Sequence, residues 1–115
     1  MKYDNKRIVG LTEKVTIYGK KKRKRIVARI DTGATKSSVD ARLAAELALG
    51  PVIKTKLVKS ASGNKLRPVI KSKIKISDKT MHAEFTIADR GHMKYRCLIG
   101  QNVLKHGFLI DPTKK

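Results

Sequence analysis

One carboxylate of this 115-residue sequence stands out because of the residues around it. Asp31 is followed by Thr32 and Gly33, and the run Ile26-Val27-Ala28-Arg29-Ile30 before it has the alternating pattern of a β-strand. A strand that ends in Asp-Thr-Gly presents an acid at a turn where glycine lets a second backbone come close. Two such carboxylates that share one proton can activate water to hydrolyse a peptide bond. The motif occurs once, so the sequence predicts half of such a site.

A second motif, Leu98-Ile99-Gly100, lies near the C-terminal end and runs on into Gln101-Asn102-Val103-Leu104. Two apolar residues and a glycine can pass behind the Asp-Thr-Gly turn and bury its floor. Asp-Thr-Gly alone is weak evidence, because Asp and Gly form turns in many proteins. The two motifs in this order are far more specific than either one.

Together these motifs resemble the retropepsin-like aspartic proteases, in which a homodimer assembles one active site across its two-fold axis. The resemblance runs from about Ile26 to Pro112 and implies an all-β, retropepsin-like closed barrel with one or two short helices. Several segments are similar to the branch that carries the name ATP-dependent zinc protease, whose members are often associated with the ligase that adds glutamates to a ribosomal protein. These segments are Val58-Lys59-Ser60-Ala61-Ser62-Gly63, Arg67-Pro68-Val69-Ile70, Ala88-Asp89-Arg90-Gly91-His92-Met93-Lys94-Tyr95 and Phe108-Leu109-Ile110-Asp111-Pro112.

The resemblance implies catalytic roles for Asp31, Thr32 and Gly33. Asp31 of each protomer would be the catalytic acid, Thr32 would hydrogen-bond across the dimer axis, and Gly33 would permit close backbone approach. The ionised acid would take a proton from the attacking water while the protonated acid hydrogen-bonds the scissile carbonyl. The other candidates are the substrate-binding residues Ala34, Thr35, Ser60, Ala61, Ser62 and Gly63, and the floor residues Leu98, Ile99 and Gly100.

Two of these positions depart from the retropepsin pattern. Thr35 stands where many retropepsins carry an acid that helps to hold the substrate backbone. The bend at residues 60–64 would be the flap over the site, and it contains fewer glycines than the usual flap.

The net charge of +19, from 28 basic and 9 acidic residues, predicts an acidic partner. A glutamate-rich peptide or protein would suit both this charge and the resemblance. A second hypothesis is a non-catalytic basic module of the same fold that binds RNA or the ribosome. Its contacts would be the lysine-bearing faces of the strands at 53–59 and 69–76, together with the run Lys20, Lys21, Lys22, Arg23, Lys24 and Arg25, which is otherwise interpreted as a solvated hairpin tip.

No cofactor is predicted from these residues. The histidines, His82, His92 and His106, are scattered, there is no His-Glu-x-x-His, and Cys97 stands in an apolar strand, so we assign no metal ligand. No glycine-rich loop followed by Lys-Ser or Lys-Thr is present to hold ATP phosphates. With one cysteine and no apolar run of membrane-spanning length, we expect a soluble cytoplasmic protein without membrane contact.

The length predicts one domain, residues 1–115, and the resemblance implies that this domain is active as a homodimer. Alternating hydrophobicity predicts most of its secondary-structure elements. We expect a hairpin from residues 15–19 and 25–31, and strands at 53–59, 69–76, 81–88, 97–100 and 108–112. We also expect a helix over residues 40–49, capped by Ser37 and Ser38 and ended by Gly50-Pro51, and one helical turn over 101–107.

Overall fold

The computed structural model describes residues 4–60 and 63–114, with the exception of the side chain of Ser60. Strands make up most of these residues, and the two helices are short. In chain order the elements are β1 (Arg7–Val9), β2 (Thr12–Tyr18), β3 (Arg23–Ile30), β4 (Ser37–Asp40), α1 (Ala41–Leu47), β5 (Val52–Ser60), β6 (Gly63–Ile76), β7 (Lys79–Ala88), β8 (Cys97–Ile99), α2 (Gln101–Leu104) and β9 (Phe108–Ile110).

Six strands form a closed barrel in the order β2-β3-β8-β4-β7-β6, because β6 pairs with β2 as well as with β7. Strand β5 lies outside this ring and forms a long antiparallel hairpin with β6. The short strands β1 and β9 pair in parallel as a separate two-stranded sheet. The predicted all-β closed barrel with one or two short helices is confirmed, and the described residues contain two such helices.

The barrel core follows from the period-two pattern of its strands. Val15 and Ile17 of β2 and Ile74 and Ile76 of β6 are almost completely buried, whereas the residues between them face outward. Helix α1 adds the buried side chains of its Leu43 and Leu47 to the same core. The strands predicted at residues 15–19 and 25–31 are therefore present as β2 and β3, with shifted ends.

Helix α1 differs from the prediction at both ends. Ser37 and Ser38 do not cap it, because both belong to β4, which pairs with β7 and β8. The N-cap residue is Asp40, whose backbone is extended with φ of −63° and ψ of 138°. The helix ends at Leu47, before Gly50-Pro51, because Ala48 adopts a left-handed conformation with φ of 53°.

Strand β8 is the element that connects the two sequence motifs. It lies between β3 and β4, parallel to β3 with Ile30 opposite Ile99, and antiparallel to β4 with Val39 opposite Cys97. The end of β3 and the end of β8 therefore lie side by side, so Asp31 and Gly100 follow neighbouring strands. Within the described part of the chain, no helix is long and apolar enough to cross a membrane.

Candidate active site

Asp31 occupies a turn that fixes its own carboxylate. Its backbone N–H donates to the carbonyl of Ile99 at 2.9 Å, which ties the turn to β8. The Oδ1 atom accepts the N–H of Gly33 at 2.9 Å, and the Asp31 carbonyl accepts the N–H of Ala34 at 3.3 Å. The Asp31 side chain is half-buried, whereas Thr32 and Gly33 are exposed. The turn thus presents one oriented carboxylate beside an uncovered backbone.

Gly100 lies directly against the loop that follows this turn. A Cβ atom at Gly100 would stand 2.2 Å from the Lys36 carbonyl oxygen and 2.7 Å from that of Ala34, so only glycine fits. The first residues of α2 bind the same loop: the N–H of Gln101 donates to Ala34 at 2.8 Å, and that of Asn102 donates to Thr35 at 3.2 Å. The second motif therefore supports the loop through its backbone.

The predicted floor residues have three different positions. Leu98 is half-buried and lines the cleft described below. Ile99 is fully buried in the barrel core, and its carbonyl accepts the hydrogen bond from Asp31. Gly100 packs against the backbone of the loop after Asp31. Of the three residues, Leu98 is the one whose side chain lines the cleft.

Ser37 is a supporting residue that the sequence reasoning missed. Its buried hydroxyl accepts the N–H of Gly100 at 3.0 Å and donates to Oδ1 of Asn102 at 2.7 Å. Asn102 then donates to the carbonyl of Glu84 at 3.0 Å, and Gln101 Nε2 donates to the carbonyl of Thr32 at 2.6 Å. The partners of Ser37 lie 63 and 65 positions away in the chain, so no local pattern in the sequence indicates this role.

A cleft of about 460 Å³ opens beside the Asp31 turn. The loop after Asp31 forms one wall, with the predicted substrate-binding residues Ala34 and Thr35, and the β5–β6 hairpin forms another. Gly33 is in the lining, whereas Asp31 is not, so the acid lies at the margin of the cleft in one chain. Of the other predicted binding residues, Gly63 begins β6 opposite Ser60, and Ala61 and Ser62 lie outside the described residues.

The β5–β6 hairpin, which contains the predicted flap, carries two cations opposite each other. Lys56 pairs in register with Arg67, and both line the cleft together with Val58. Like charges opposite each other destabilise an antiparallel pair. The Nε atom of Arg67 is buried and finds no hydrogen-bond partner among the described residues. The outward-facing neighbours, Leu57 and Leu66, are 50% and 71% exposed.

A buried carboxylate supports the far wall of the cleft. Asp40 is 1% exposed, its Oδ1 accepts the N–H of Arg90 at 2.8 Å, and its Oδ2 lies 3.5 Å from the Arg96 guanidinium. Burial raises the pKa of Asp40, but the N–H groups of Arg90 and Leu43 and the charge of Arg96 outweigh it, so the pKa lies below its usual value. Arg90 is itself buried, lines the cleft, and donates from Nε to the Tyr95 carbonyl at 3.1 Å.

The residues available as metal ligands do not fit a bound zinc ion. Among the described residues, no three His, Cys, Asp or Glu side chains are grouped so that they could hold an ion. His82, His92 and His106 lie on separate segments. Burial raises the pKa of the Cys97 thiol to about 12, so this group is neutral and has no access to solvent.

The basic run at residues 20–25 does not form one cluster. Lys22 and Lys24 face helix α1, where they lie 3.7 Å and 3.1 Å from the carboxylate of Glu46. Arg23 and Arg25 are exposed on the opposite face of β3, because side chains alternate along a strand. The charge of this run is thus divided between two surfaces.

Comparison with known proteins identifies a family model that matches this chain and solved structures with a similar fold. The family model described as RimB-like, "Retropepsin-like aspartic endopeptidase RimB", matches residues 44–115, which include Leu98-Ile99-Gly100 but begin after Asp31. A Legionella pneumophila protein of unknown function has a similar structure, with a TM-score of 0.65, 21% identity and coverage of 94% of each chain. The Simian Foamy Virus (mac) protease has a TM-score of 0.59 and 21% identity, over 82% of this chain and 91% of the protease.

One curated relative carries a region similar in sequence to this chain. It is the "Probable alpha-L-glutamate ligase" of Desulfotalea psychrophila (strain LSv54 / DSM 12343), which is 34% identical over 64 residues. The matched region is 55% of this chain and 14% of the ligase, so the chain corresponds to a small part of that relative.

Proposed function

The chain belongs to the RimB-like family of retropepsin-like aspartic endopeptidases, and we propose that it hydrolyses peptide or amide bonds with one Asp31 from each of two copies. The observation that carries this proposal is the Asp31 turn. It holds a single carboxylate in place through Gly33 and β8 and leaves Thr32 and Gly33 exposed beside it. A second copy related by a two-fold axis would supply the second acid and cover these residues.

The proposed mechanism needs no covalent intermediate. Two carboxylates within hydrogen-bond reach cannot both ionise cheaply, so the pair holds one proton. The ionised Asp31 takes a proton from water as the water attacks the scissile carbonyl, and the protonated Asp31 donates a hydrogen bond to that carbonyl oxygen. The proton then passes to the leaving nitrogen. Thr32 would hold the two turns together by hydrogen bonding across the axis.

We further propose that the substrate is acidic and rich in glutamate. Lys36, Lys56 and Arg67 all line the cleft. Lys36 and Lys56 also line a neighbouring cavity of about 290 Å³, so the cationic lining extends beyond the cleft itself. A substrate carboxylate between Lys56 and Arg67 would relieve the repulsion of this pair and give the buried Nε of Arg67 an acceptor. The glutamate ligase that shares a region with this chain supports the same substrate class.

The test of the dyad is Asp31→Asn, with Asp89→Asn as its matched control. Asp89 is exposed and lines the same cleft, so the control removes one charge from the same surface. With a glutamate-rich peptide and mass-spectrometric detection of its products, we expect Asp31→Asn to lower the rate about 10³-fold or more, and Asp89→Asn to retain cleavage. Cleavage that persists in Asp31→Asn would rule out the dyad.

A mixing experiment tests whether the site is shared. Wild-type chains and Asp31→Asn chains are unfolded together in equal amounts, refolded and assayed. If each site needs the Asp31 carboxylates of both copies, random pairing makes about one quarter of the dimers fully wild type. The mixture should then have about one quarter of the activity of the same total amount of wild-type protein. Activity equal to half, together with sedimentation as a monomer, would contradict the shared site.

The second hypothesis, a non-catalytic module that binds RNA or the ribosome through residues 20–25, has less support. Lys22 and Lys24 are already paired with Glu46, so the run cannot act as one anion-binding tip. The same assays separate the two hypotheses, because a module of this kind would cleave nothing whether or not Asp31 is intact.

We also propose that the protein is a single domain that acts as a homodimer in the cytoplasm. Its one cysteine cannot form a disulfide within the chain, so the protein does not need an oxidising compartment.

A further inference from the structure

The outer face of the barrel over β3, β2 and β6 carries two rows of basic residues. Side chains alternate along each strand, and the register aligns the outward-facing ones across the three strands. One row consists of Arg25, Thr16 and Lys75, and the next consists of Arg23, Tyr18 and Lys73. We call these six residues the outer basic face.

The cations of this face have no acidic partners close by. Among the described residues, no carboxylate lies within 4 Å of Arg23, Arg25, Lys73 or Lys75. Asp78 is near enough for the charge of Lys75 to contribute to its lowered pKa, but its main partner is Arg7 at 2.7 Å. The face therefore keeps an uncompensated positive charge that attracts anions.

A groove on the same face offers hydroxyl groups between the cations. It has a volume of about 490 Å³ and is lined by Lys14, Arg25 and Lys75, with the hydroxyls of Thr12, Thr16 and Ser77 between them. One carboxylate, Glu13, is also in the lining, but it accepts the Gly10 N–H at 3.2 Å and pairs with Lys114 at 2.5 Å. The groove thus presents a concave set of positive and hydroxyl groups.

We propose that the outer basic face and its groove bind single-stranded RNA along the ribose-phosphate backbone. Phosphate oxygens would accept from Arg25 and Lys75, and ribose 2′-hydroxyls would exchange hydrogen bonds with Thr16 and its neighbouring hydroxyls. Consecutive outward lysines of β6, such as Lys73 and Lys75, stand about 6.8 Å apart along the strand, which suits successive phosphates of an extended strand.

Base recognition plays no part in this binding. The ring of Tyr18 is half-buried and already lies under the Nζ of Lys73 at 5.0 Å, so it is not free to stack on a base. Binding should therefore depend strongly on salt and little on the base sequence.

The outer basic face is separate from the catalytic cleft. Among the residues that the structure describes, none that lines the groove also lines the cleft. Bound RNA would leave the cleft open, so RNA binding and peptide cleavage can be tested independently in the full chain.

The test measures the anisotropy of a fluorescein-labelled oligouridine of about 20 nucleotides over a series of salt concentrations. The variant is Arg25→Glu with Lys75→Glu. Its matched control is Lys94→Glu with Lys105→Glu, which changes the net charge equally at exposed residues outside the groove. Arg25→Gln with Lys75→Gln replaces the first variant if the charge reversal prevents folding, as judged by circular dichroism.

We expect the groove variant to bind RNA at least about tenfold more weakly and its plot of log affinity against log salt to be shallower by about 1.4, while the control stays within about twofold of wild type. Equal losses in variant and control would show attraction by net charge alone and overturn the proposal. So would equal binding of single-stranded DNA, or displacement of RNA by poly-glutamate as efficiently as by unlabelled RNA. Cleavage of a glutamate-rich peptide should be unchanged in the groove variant, which separates this proposal from the catalytic one.

Discussion

The hydroxyl of Ser37 accepts the backbone N–H of Gly100 at 3.0 Å, although 63 positions separate the two residues in the chain. The same hydroxyl donates to Asn102 Oδ1 at 2.7 Å, and Asn102 passes the connection to the Glu84 carbonyl. Ser37 is completely buried, so its hydroxyl has no access to water as an alternative partner. One side chain thus joins the loop after Asp31 to the glycine beneath it.

Replacement of Ser37 by Ala should destabilise the protein and loosen the candidate site. The N–H of Gly100 would lose its acceptor in a buried place, which costs about 1–3 kcal/mol of the free energy of unfolding. Urea unfolding measures this change, and Ser38→Ala on the same strand is the control because Ser38 is half-buried. Equal stability of Ser37→Ala and Ser38→Ala would show that the hydroxyl does not hold the loop.

Gly100→Ala should be among the most damaging small substitutions in this chain. Its Cβ would approach the backbone oxygens of Lys36 and Ala34, which cannot move without displacing the turn of Asp31. We expect a loss of about 3 kcal/mol and of peptide cleavage.

Gly91→Ala is the matched control for Gly100→Ala. Its Cβ would come closest to the end of the Arg42 side chain, at 2.5 Å, and that side chain can rotate away. Thermal unfolding of the two variants side by side gives the comparison. A Gly100→Ala protein as stable and active as Gly91→Ala would contradict the close packing of the two motifs.

Asp40→Asn should remove a pH-dependent part of the stability. The pKa of Asp40 is lower in the folded protein than in the unfolded chain, so its carboxylate stabilises the fold above about pH 4, and this contribution is lost as the pH falls through the folded pKa. The amide of the variant carries no charge at any pH, and we expect a loss of roughly 1–3 kcal/mol at neutral pH. Unfolding curves between about pH 2 and 7 should show a smaller acid-induced decrease than in wild type.

Lys56→Gln with Arg67→Gln should change substrate preference and leave the fold intact. We expect kcat/KM for a glutamate-rich peptide to fall about tenfold or more, and kcat/KM for the corresponding glutamine peptide to change little. Stability should rise by roughly 0.2–1 kcal/mol, because the repulsion between the paired cations disappears. Lys59→Gln, at an exposed position of the same strand, is the control. Equal losses with both peptides would indicate a structural role for the pair.

Cys97 should be inert in the folded protein. Burial raises the pKa of its thiol to about 12 and closes it from solvent, so almost no reactive thiolate is present at about pH 8. Iodoacetamide should label Cys97 only after unfolding in guanidinium chloride, as judged by intact mass. Rapid labelling of the native protein would mean that β8 leaves its place between β3 and β4.

The strands could be predicted because period-two alternation is a local property, as in the outward lysines and buried isoleucines of β6. The helix cap was wrong because Ser37 and Ser38 form a local cap pattern, whereas pairing with β7 and β8 holds them in a strand. The Ser37–Asn102 hydrogen bond spans 65 positions, so no local pattern indicates it. Similarly, the sequence shows that residues 20–25 are basic, but it does not show that β3 directs these side chains to two different surfaces.

The position of β8 also has a consequence for synthesis of the chain. Translation produces β3 and β4 long before β8, yet β8 must come to lie between them, and α2 must reach the loop after Asp31. A nascent chain that stops short of Gly100 carries Asp31 without the backbone that anchors it. Asp31 can therefore be anchored only after the segment that contains Gly100 has been synthesised and has left the ribosome.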